Sequence, residues 1–177
     1  MPFTPDDQLE LTISHELIPQ QVRKELHESF HIRPPFVLPI LLSDLLLPTP
    51  CTHRSVSSPP PTTTAGTSPA PHTYYTVVLI DRATDRIVGV GTLFLERKFV
   101  GALGVVGHVE DVAVGKDMQG KRLGICIVRA LSGISERLGA YKTVGNCNDV
   151  NIPLYEKCGA VRKGNEMAKY VNDRARL

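Results

Sequence analysis

Gly107-His-Val-Glu-Asp-Val-Ala-Val114, followed closely by Gln119-Gly-Lys-Arg-Leu-Gly124, is the stretch that decides the fold of this chain. The first segment is apolar enough for a buried strand, yet it carries two adjacent carboxylates. The second segment has the glycines of a tight turn that opens a helix, predicted from Leu123 to about Leu138. Because the first N–H groups of a helix have no intrahelical partner, this order of elements predicts a cradle for an anion such as a phosphate.

The alternation of strands and helices extends in both directions from this stretch. Tyr74–Ile80 and residues 86–95 are β-rich and flank a turn, which predicts a hairpin. After the long helix we expect a strand over 141–147, a short helix through Lys157 and a last strand over 160–171. This order predicts an α/β (mixed α+β) fold, in which helices flank a central mixed sheet.

The N-terminal part of the chain differs sharply in composition from the rest. Thirteen of the fourteen prolines precede residue 72. Residues 48–73 are rich in Pro, Ser and Thr and have little apolar surface to bury, whereas residues 31–47 are apolar without a clear period. The segment 35–73 as a whole is predicted to be largely disordered. We therefore divide the chain into a leader over 1–34 with a short helix inside 16–30, the atypical segment 35–73, and a core over 74–177.

Charge and cysteine usage exclude several classes of protein. The formal net charge of +2 is too small to indicate a nucleic-acid partner, and no apolar run reaches the ~20 residues of a membrane span. Cysteines 51, 126, 147 and 158 match no zinc-binding spacing, so no metal is expected. With no secretory signal before them, they are interpreted as reduced thiols of a cytoplasmic protein.

The acidic strand followed by Gln-x-x-x-x-Gly resembles the GNAT acetyltransferase (acyl-CoA N-acyltransferase) fold. Five stretches are more specifically similar to the glucosamine 6-phosphate N-acetyltransferases, and the similarity covers about residues 74–170: Glu96-Arg-Lys98, Gly107–Val114, Gln119–Gly124, Tyr141-Lys142 and Leu154-Tyr-Glu-Lys-Cys-Gly159. The resemblance implies a homodimer that transfers acetyl from acetyl-CoA to the 2-amino group of D-glucosamine 6-phosphate. The product would enter UDP-N-acetylglucosamine biosynthesis.

The resemblance assigns the Gln119–Gly124 loop to the pyrophosphate of acetyl-CoA, the co-substrate. At Arg122 the sequence departs from the family, which has a second glycine there, although a basic residue complements the anion. Taken alone, the loop is equally typical of an ordinary strand-to-helix turn. The implied cofactor-binding residues are Val112, Ala113, Val114, Gln119, Gly120, Lys121, Arg122, Leu123, Gly124, Ile125, Asn151, Tyr155 and Lys157.

The resemblance also implies catalytic roles for Tyr155, Glu110, Asp111 and Asn146. Tyr155 matches a phenol that protonates the leaving thiolate, and the less favoured alternative is a buried tyrosine on the short helix. Strand alternation predicts that Glu110 and Asp111 point to opposite faces. Without the resemblance, two adjacent carboxylates on a strand would more often indicate a salt-bridged strand edge. Asn146 stands where the family commonly has Asp, and an amide takes no proton at neutral pH.

The resemblance also implies a set of substrate-binding residues, some of which are the catalytic residues named above. Its lysines suit an anionic acceptor, whereas a solvated surface charge is the ordinary role of any single lysine. His108 is interpreted as structural, and Cys147 and Cys158 as small core residues. The implied substrate-binding residues are Lys98, Glu110, Asp111, Lys142, Asn146 and Glu166.

Two other functions remain open at this point. One is a catalytically impaired, acetyl-CoA-binding homologue, because residues 35–73 replace the region that closes the acceptor pocket in the family. The other is an N-acetyltransferase for a different amine. An amine without a phosphate would favour an acidic or open cleft, whereas Lys98 and Lys142 favour an anionic acceptor.

Overall fold

A computed structural model of the chain describes residues 13–34, 72–99 and 103–165, together with residues 3, 5, 6, 167 and 169. Most of the segment predicted to be disordered and the predicted contact Glu166 lie outside these residues. The helices and strands are α1 (Gln20–Glu25), β1 (Phe30–Arg33), β2 (Tyr74–Asp81), β3 (Arg86–Arg97), β4 (Val105–Val114), α2 (Leu123–Arg137), β5 (Ala140–Gly145) and α3 (Ile152–Glu156).

The five strands found in the described residues form one mixed sheet in the order β1-β2-β3-β4-β5. Each pair from β1 to β4 is antiparallel, whereas β4 and β5 are parallel. A parallel pair needs a crossover connection, and α2 supplies it. The predicted hairpin, the central strand and the long helix therefore occur within two residues of their expected positions.

The core lies between α2 and one face of the sheet. The apolar stripe of α2 at Leu123, Ile127, Leu131 and Ile134 is buried against strand residues that include Leu93. The sheet accepts the helix closely because two strand positions are glycine: a Cβ at position 91 would collide with Ile127, and one at position 107 with the Ser135 hydroxyl. This close packing fixes the start of α2 relative to β4.

Residues 13–34, predicted to be a leader, pack into the same core. The helix expected inside 16–30 is divided into a 3-10 turn at His15–Leu17 and the short α1, because Pro19 has no N–H and begins a new helix. The strand β1 was not predicted from the sequence. It pairs with β2 from Phe30↔Asp81 to Arg33↔Val78, and Ile32 is 1% exposed.

The strand predicted over 160–171 is wrong for residues 160–165. These residues are exposed and belong to none of the strands. Instead of starting a ladder, the chain bonds back to the end of α3: the Ala160 N–H donates to the Tyr155 carbonyl at 3.1 Å and the Gly159 N–H to that of Glu156 at 2.9 Å. Gly159 has a φ of +87°, the left-handed conformation that commonly ends a helix.

Candidate active site

A cleft opens where the two parallel strands separate. The ladder between β4 and β5 ends at Val109↔Gly145, and the chains diverge beyond this pair. The space between them is a cavity of ≈ 290 Å³. Its walls come from β4 on one side and from the segment that links β5 to α3 on the other: Val109, Glu110, Asp111, Val112, Asn146, Cys147, Asn148, Asn151 and Tyr155.

A β-bulge in β4 accompanies this separation. Val90 pairs with Ala113 and Thr92 with Glu110, so two residues of β4 lie opposite Gly91 alone. Asp111 has a φ of +53°, which is uncommon for a residue with a side chain. Because a bulge bends its strand and breaks the alternation of side chains, simple alternation does not hold through Asp111, and the opposite orientation of Glu110 and Asp111 stays a prediction. Both side chains are exposed and both border the cleft.

The edge of β4 beyond Val109 borders the cleft instead of a neighbouring strand. Its other edge remains hydrogen-bonded to β3, with pairs as far as Gly89↔Val114. A strand edge of this kind presents N–H and C=O groups in a regular row. An extended ligand with amide groups can therefore continue the hydrogen bonding along Val112–Val114.

The phenol of Tyr155 lies at the point where the strands separate. A Cβ at Gly145 would lie 3.3 Å from Tyr155 Cε1 and 3.4 Å from the Val109 carbonyl oxygen, so the ring packs over the last pair of the ladder. Burial raises the pKa of this phenol above its ordinary value, and the neighbouring Cys147, Glu110 and Cys158 add to the effect. The phenol is therefore protonated at neutral pH and can donate a proton.

The start of α2 carries uncapped backbone N–H groups. Arg122 is the N-cap with a φ of 61°, and its side chain makes no capping hydrogen bond. The first N–H groups that bond within the helix are those of Ile125 and Cys126, which donate to the Arg122 carbonyl at 3.1 and 3.3 Å. The N–H groups of Leu123 and Gly124 precede these bonds and have no carbonyl partner within the helix. Together with Gly120, whose φ is +81°, they form a backbone surface suited to a phosphate.

The loop and the cleft are joined by direct packing. A Cβ at Gly124 would lie 3.1 Å from Leu154 Cδ1, so the first turn of α2 rests on the helix that carries Tyr155. Lys121 is part of the loop, and its ammonium lies 3.1 Å from Met118 Sδ and 5.7 Å from the centre of the Phe30 ring.

Six of the predicted site residues line the cleft together: Glu110, Asp111, Val112, Asn146, Asn151 and Tyr155. The remaining cofactor residues continue along β4 (Ala113 and Val114), occupy the loop and first turn of α2 (Gln119–Ile125), or follow α3 (Lys157).

The two lysines lie away from these walls, Lys98 after β3 and Lys142 on β5. Val109, Cys147 and Asn148 were missed as cleft residues. The interpretation of Cys147 as a core residue is wrong, because its thiol is exposed in the cleft. Its position directly after Asn146, at the end of the fourth predicted strand, was the signal available in the sequence.

Within residues 13–34, 72–99 and 103–165, no group of three or more His, Cys, Asp or Glu side chains is arranged to hold a metal ion. In the same part of the chain, no helix is long and apolar enough to cross a membrane.

Comparison with known proteins identifies relatives of this fold. Glucosamine 6-phosphate N-acetyltransferase of Schizosaccharomyces pombe is 43% identical over 100 residues, which cover 56% of this chain and 90% of that protein. Glucosamine 6-phosphate N-acetyltransferase 1 of Dictyostelium discoideum is 38% identical over 99 residues, which cover 56% of this chain and only 63% of that protein. The crystal structure of glucosamine-6-phosphate N-acetyltransferase from Arabidopsis thaliana superposes with a TM-score of 0.55 at 33% identity, covering 56% of this chain and 67% of that one.

A family profile matches a longer part of the chain. Residues 43–160 match the acetyltransferase (GNAT) family. The matched range contains β2 to β5, the loop and both walls of the cleft. The chain therefore belongs to the GNAT acetyltransferase family.

Proposed function

We propose that this chain transfers the acetyl group of acetyl-CoA to the 2-amino group of D-glucosamine 6-phosphate. The observation that carries the proposal is the meeting of three features at one cleft: the uncapped start of α2, the open edge of β4 and the protonated phenol of Tyr155. Two relatives named for this reaction are 43% and 38% identical over 100 and 99 residues, which supports the proposal.

The cofactor fits these features in a single direction. Backbone N–H groups of the Gln119–Gly124 loop and the start of α2 bind the pyrophosphate, and the edge of β4 at Val112–Val114 binds the extended pantetheine amides. Such an arrangement brings the thioester to the bulge at Asp111, near the Tyr155 phenol. Backbone groups at the bulge polarise the thioester carbonyl as its oxygen gains charge.

The chemistry is a direct transfer in a ternary complex. A neutral amine attacks the thioester carbonyl, and the carbon–sulfur bond breaks as the Tyr155 O–H donates its proton to the departing thiolate. Asn146 borders the cleft but accepts no proton as a neutral amide, so the amine loses its proton to solvent or to the exposed Glu110 carboxylate. No covalent enzyme intermediate is required.

Positive charge on the sheet supports an anionic acceptor. Lys142 pairs in register with Val106, and Lys98 lies beside the same end of β4. Lys142→Ala is expected to raise the Michaelis constant for glucosamine 6-phosphate more than that for acetyl-CoA. Equal effects on both constants would contradict a role for Lys142 in binding the acceptor.

The test is release of free thiol from acetyl-CoA by the purified 177-residue chain, with glucosamine 6-phosphate present or omitted. Sugar-dependent release, together with N-acetylated sugar phosphate in the product, is the expected result. No release from a chain that binds acetyl-CoA in calorimetry would instead support the catalytically impaired homologue, a second candidate favoured by the amide at Asn146. No release and no binding would overturn both.

We further propose a cytoplasmic homodimer whose subunits share the two sites and whose product enters UDP-N-acetylglucosamine synthesis. Among the strands of the described residues β5 is the outer one, and Tyr141 on it is 63% exposed, which supports the dimer. Light scattering of the purified chain distinguishes dimer from monomer. The three free cysteines of the described residues fit a reducing compartment.

A further inference from the structure

Two free cysteines lie close together where the start of α2 packs beside the end of α3. Cys126 is in the first turn of α2, and Cys158 follows α3 by two residues. The Cys158 S–H donates to the Ile125 carbonyl oxygen at 3.8 Å. Because a carbonyl oxygen is about 3 Å from the next Cα, the Cys158 sulfur lies within about 7 Å of the Cys126 Cα. Rotation of two side chains from this range can form a disulfide, whose Cα atoms lie about 4.4–6.8 Å apart.

An arginine joins the three elements that surround the two thiols. Arg129 follows Cys126 by three residues, so both side chains lie on the same face of α2. The Arg129 guanidinium donates to the Glu25 carboxylate of α1 at 2.6 Å and to the Lys157 carbonyl, directly before Cys158, at 3.2 Å. The thiols therefore belong to one cluster that connects α1, the first turns of α2 and the end of α3.

The charges of this cluster act differently on the two thiols. Burial raises the pKa of both thiols, so both are protonated at neutral pH and resist casual oxidation. For Cys126 the nearby Glu25 carboxylate adds to this rise in pKa. For Cys158 the Arg129 guanidinium opposes the rise through its charge and a hydrogen bond. The reactive thiolate therefore forms more readily at Cys158, and Cys126 is the partner thiol.

We propose that Cys126 and Cys158 are a modification site at which a peroxide produces an intramolecular disulfide, and that this bond weakens acetyl-CoA binding. The Cys158 thiolate attacks one peroxide oxygen, the O–O bond breaks, and a sulfenic acid and one water are formed. The Cys126 thiol then attacks the Cys158 sulfur, and the sulfenic hydroxyl leaves as a second water. The two thiols lose two electrons and two protons, which reduce the peroxide to water. A thiol reductant reverses the bond, as in transient disulfides of reducing compartments.

The position of the bond explains its effect on the cofactor. Cys158 directly follows Lys157, a proposed cofactor contact whose carbonyl is held by Arg129. Formation of the disulfide draws the Cys158 sulfur from the Ile125 carbonyl toward Cys126, and Lys157 moves with it relative to the start of α2. Since the start of α2 is the proposed pyrophosphate site, this shift is expected to weaken acetyl-CoA binding several-fold. The effect on binding rests on the proposed function, whereas the bond itself does not.

Peptide mapping by mass spectrometry tests the bond itself. The purified chain is treated with hydrogen peroxide, the remaining thiols are alkylated, and the digest is analysed without reduction. The expected product is a pair of peptides joined through Cys126 and Cys158, two hydrogen atoms lighter than the reduced pair and separated by dithiothreitol. Cys126→Ser is expected to leave a sulfenic acid on Cys158, which dimedone traps. A digest without this pair, or with Cys158 bonded to Cys51 or Cys147, would overturn the inference.

Calorimetry with acetyl-CoA tests the effect of the bond on binding. All chains in this comparison carry Cys147→Ser, so that oxidation of the thiol in the cleft does not contribute. Acetyl-CoA affinity is expected to fall several-fold on peroxide treatment and to recover with dithiothreitol, whereas the same chain with Cys158→Ser does not respond to peroxide. Equal affinity of the cross-linked and reduced chains would overturn the regulatory part of the inference. A chain that forms the bond but transfers no acetyl group when reduced would contradict the proposed function and leave the modification site standing.

Discussion

Arg122 adopts a backbone conformation that costs an ordinary residue free energy. Its φ of 61° and ψ of 14° lie in the left-handed region, where a Cβ is crowded by about 1–2 kcal/mol. Glycine at this position avoids the crowding, but it makes the unfolded chain more flexible, which lowers the free energy of unfolding by about 0.5–1 kcal/mol. Gln119 offers a matched control, because it is an exposed residue of the same loop with an ordinary φ of −65°.

The comparison of Arg122→Gly with Gln119→Gly isolates this strain. Both variants carry the same additional entropy in the unfolded chain, so it cancels in the difference. The free energy of unfolding is expected to be about 1–2 kcal/mol larger for Arg122→Gly than for Gln119→Gly, measured by urea denaturation. A difference close to zero, or of the opposite sign, would refute the argument that Arg122 is strained.

A second measurement on Arg122→Gly, of the affinity for acetyl-CoA, tests whether the arginine charge contributes to binding. Its charge lies at the start of α2, where the proposed pyrophosphate site adds two phosphate groups. Because the side chain is exposed, loss of this charge is expected to weaken acetyl-CoA binding only a few-fold in calorimetry, and less at high salt. Arg122→Gly would then relieve the backbone strain but weaken acetyl-CoA binding, so the arginine charge favours binding at the expense of stability. Unchanged affinity at low salt would contradict this.

Three further substitutions test the core and the chemistry. Tyr155→Phe is expected to lower turnover about 100-fold while acetyl-CoA affinity stays the same in calorimetry, and unchanged turnover would exclude Tyr155 as the acid. Gly107→Ala is expected to lower the free energy of unfolding by about 1–3 kcal/mol, because its Cβ collides with the Ser135 hydroxyl, and Ser135→Ala in the same chain recovers part of the loss in urea denaturation. Burial lowers the pKa of His31 below 6.5 against the opposing ion pair with Asp6, so the unfolded chain binds a proton more readily and stability falls as the pH drops below about 6.5. His31→Gln should flatten this decline in thermal melts from pH 8 to pH 5; an unaltered slope would assign the decline to other groups.

The central part of the fold was predictable because its local signals agree with its tertiary environment. β4 has the apolar content of a buried strand, and α2 carries an uninterrupted apolar stripe from Leu123 to Ile134. The helix is also bounded by glycines with a positive φ, Gly120 before α2 and Gly139 after it. Agreement of period, length and turn residues leaves few alternatives for such segments.

The rest depended on contacts that no local pattern carries. β1 has only four residues, so its alternation is too short to separate from a loop, and it is a strand because β2 pairs with it. The last strand failed for a related reason: it was predicted from its place after the helix that ends at Gly159, and residues 160–165 belong to none of the strands. The bulge at Asp111 arises from a register difference between β3 and β4, which is a property of two segments together.

The candidate site follows the same division. The proposed cofactor half consists of neighbouring segments of the sequence, a strand edge and a helix start separated by a short loop, so a single motif predicts it. The proposed acceptor half involves β3, β4 and β5, and the sequence named its lysines without locating them. His108 illustrates the difference most directly: on its own strand it is one polar residue between valine and glycine, and only the neighbouring β3 supplies the Glu96 and Phe94 that give its imidazole a fixed position beside the cleft.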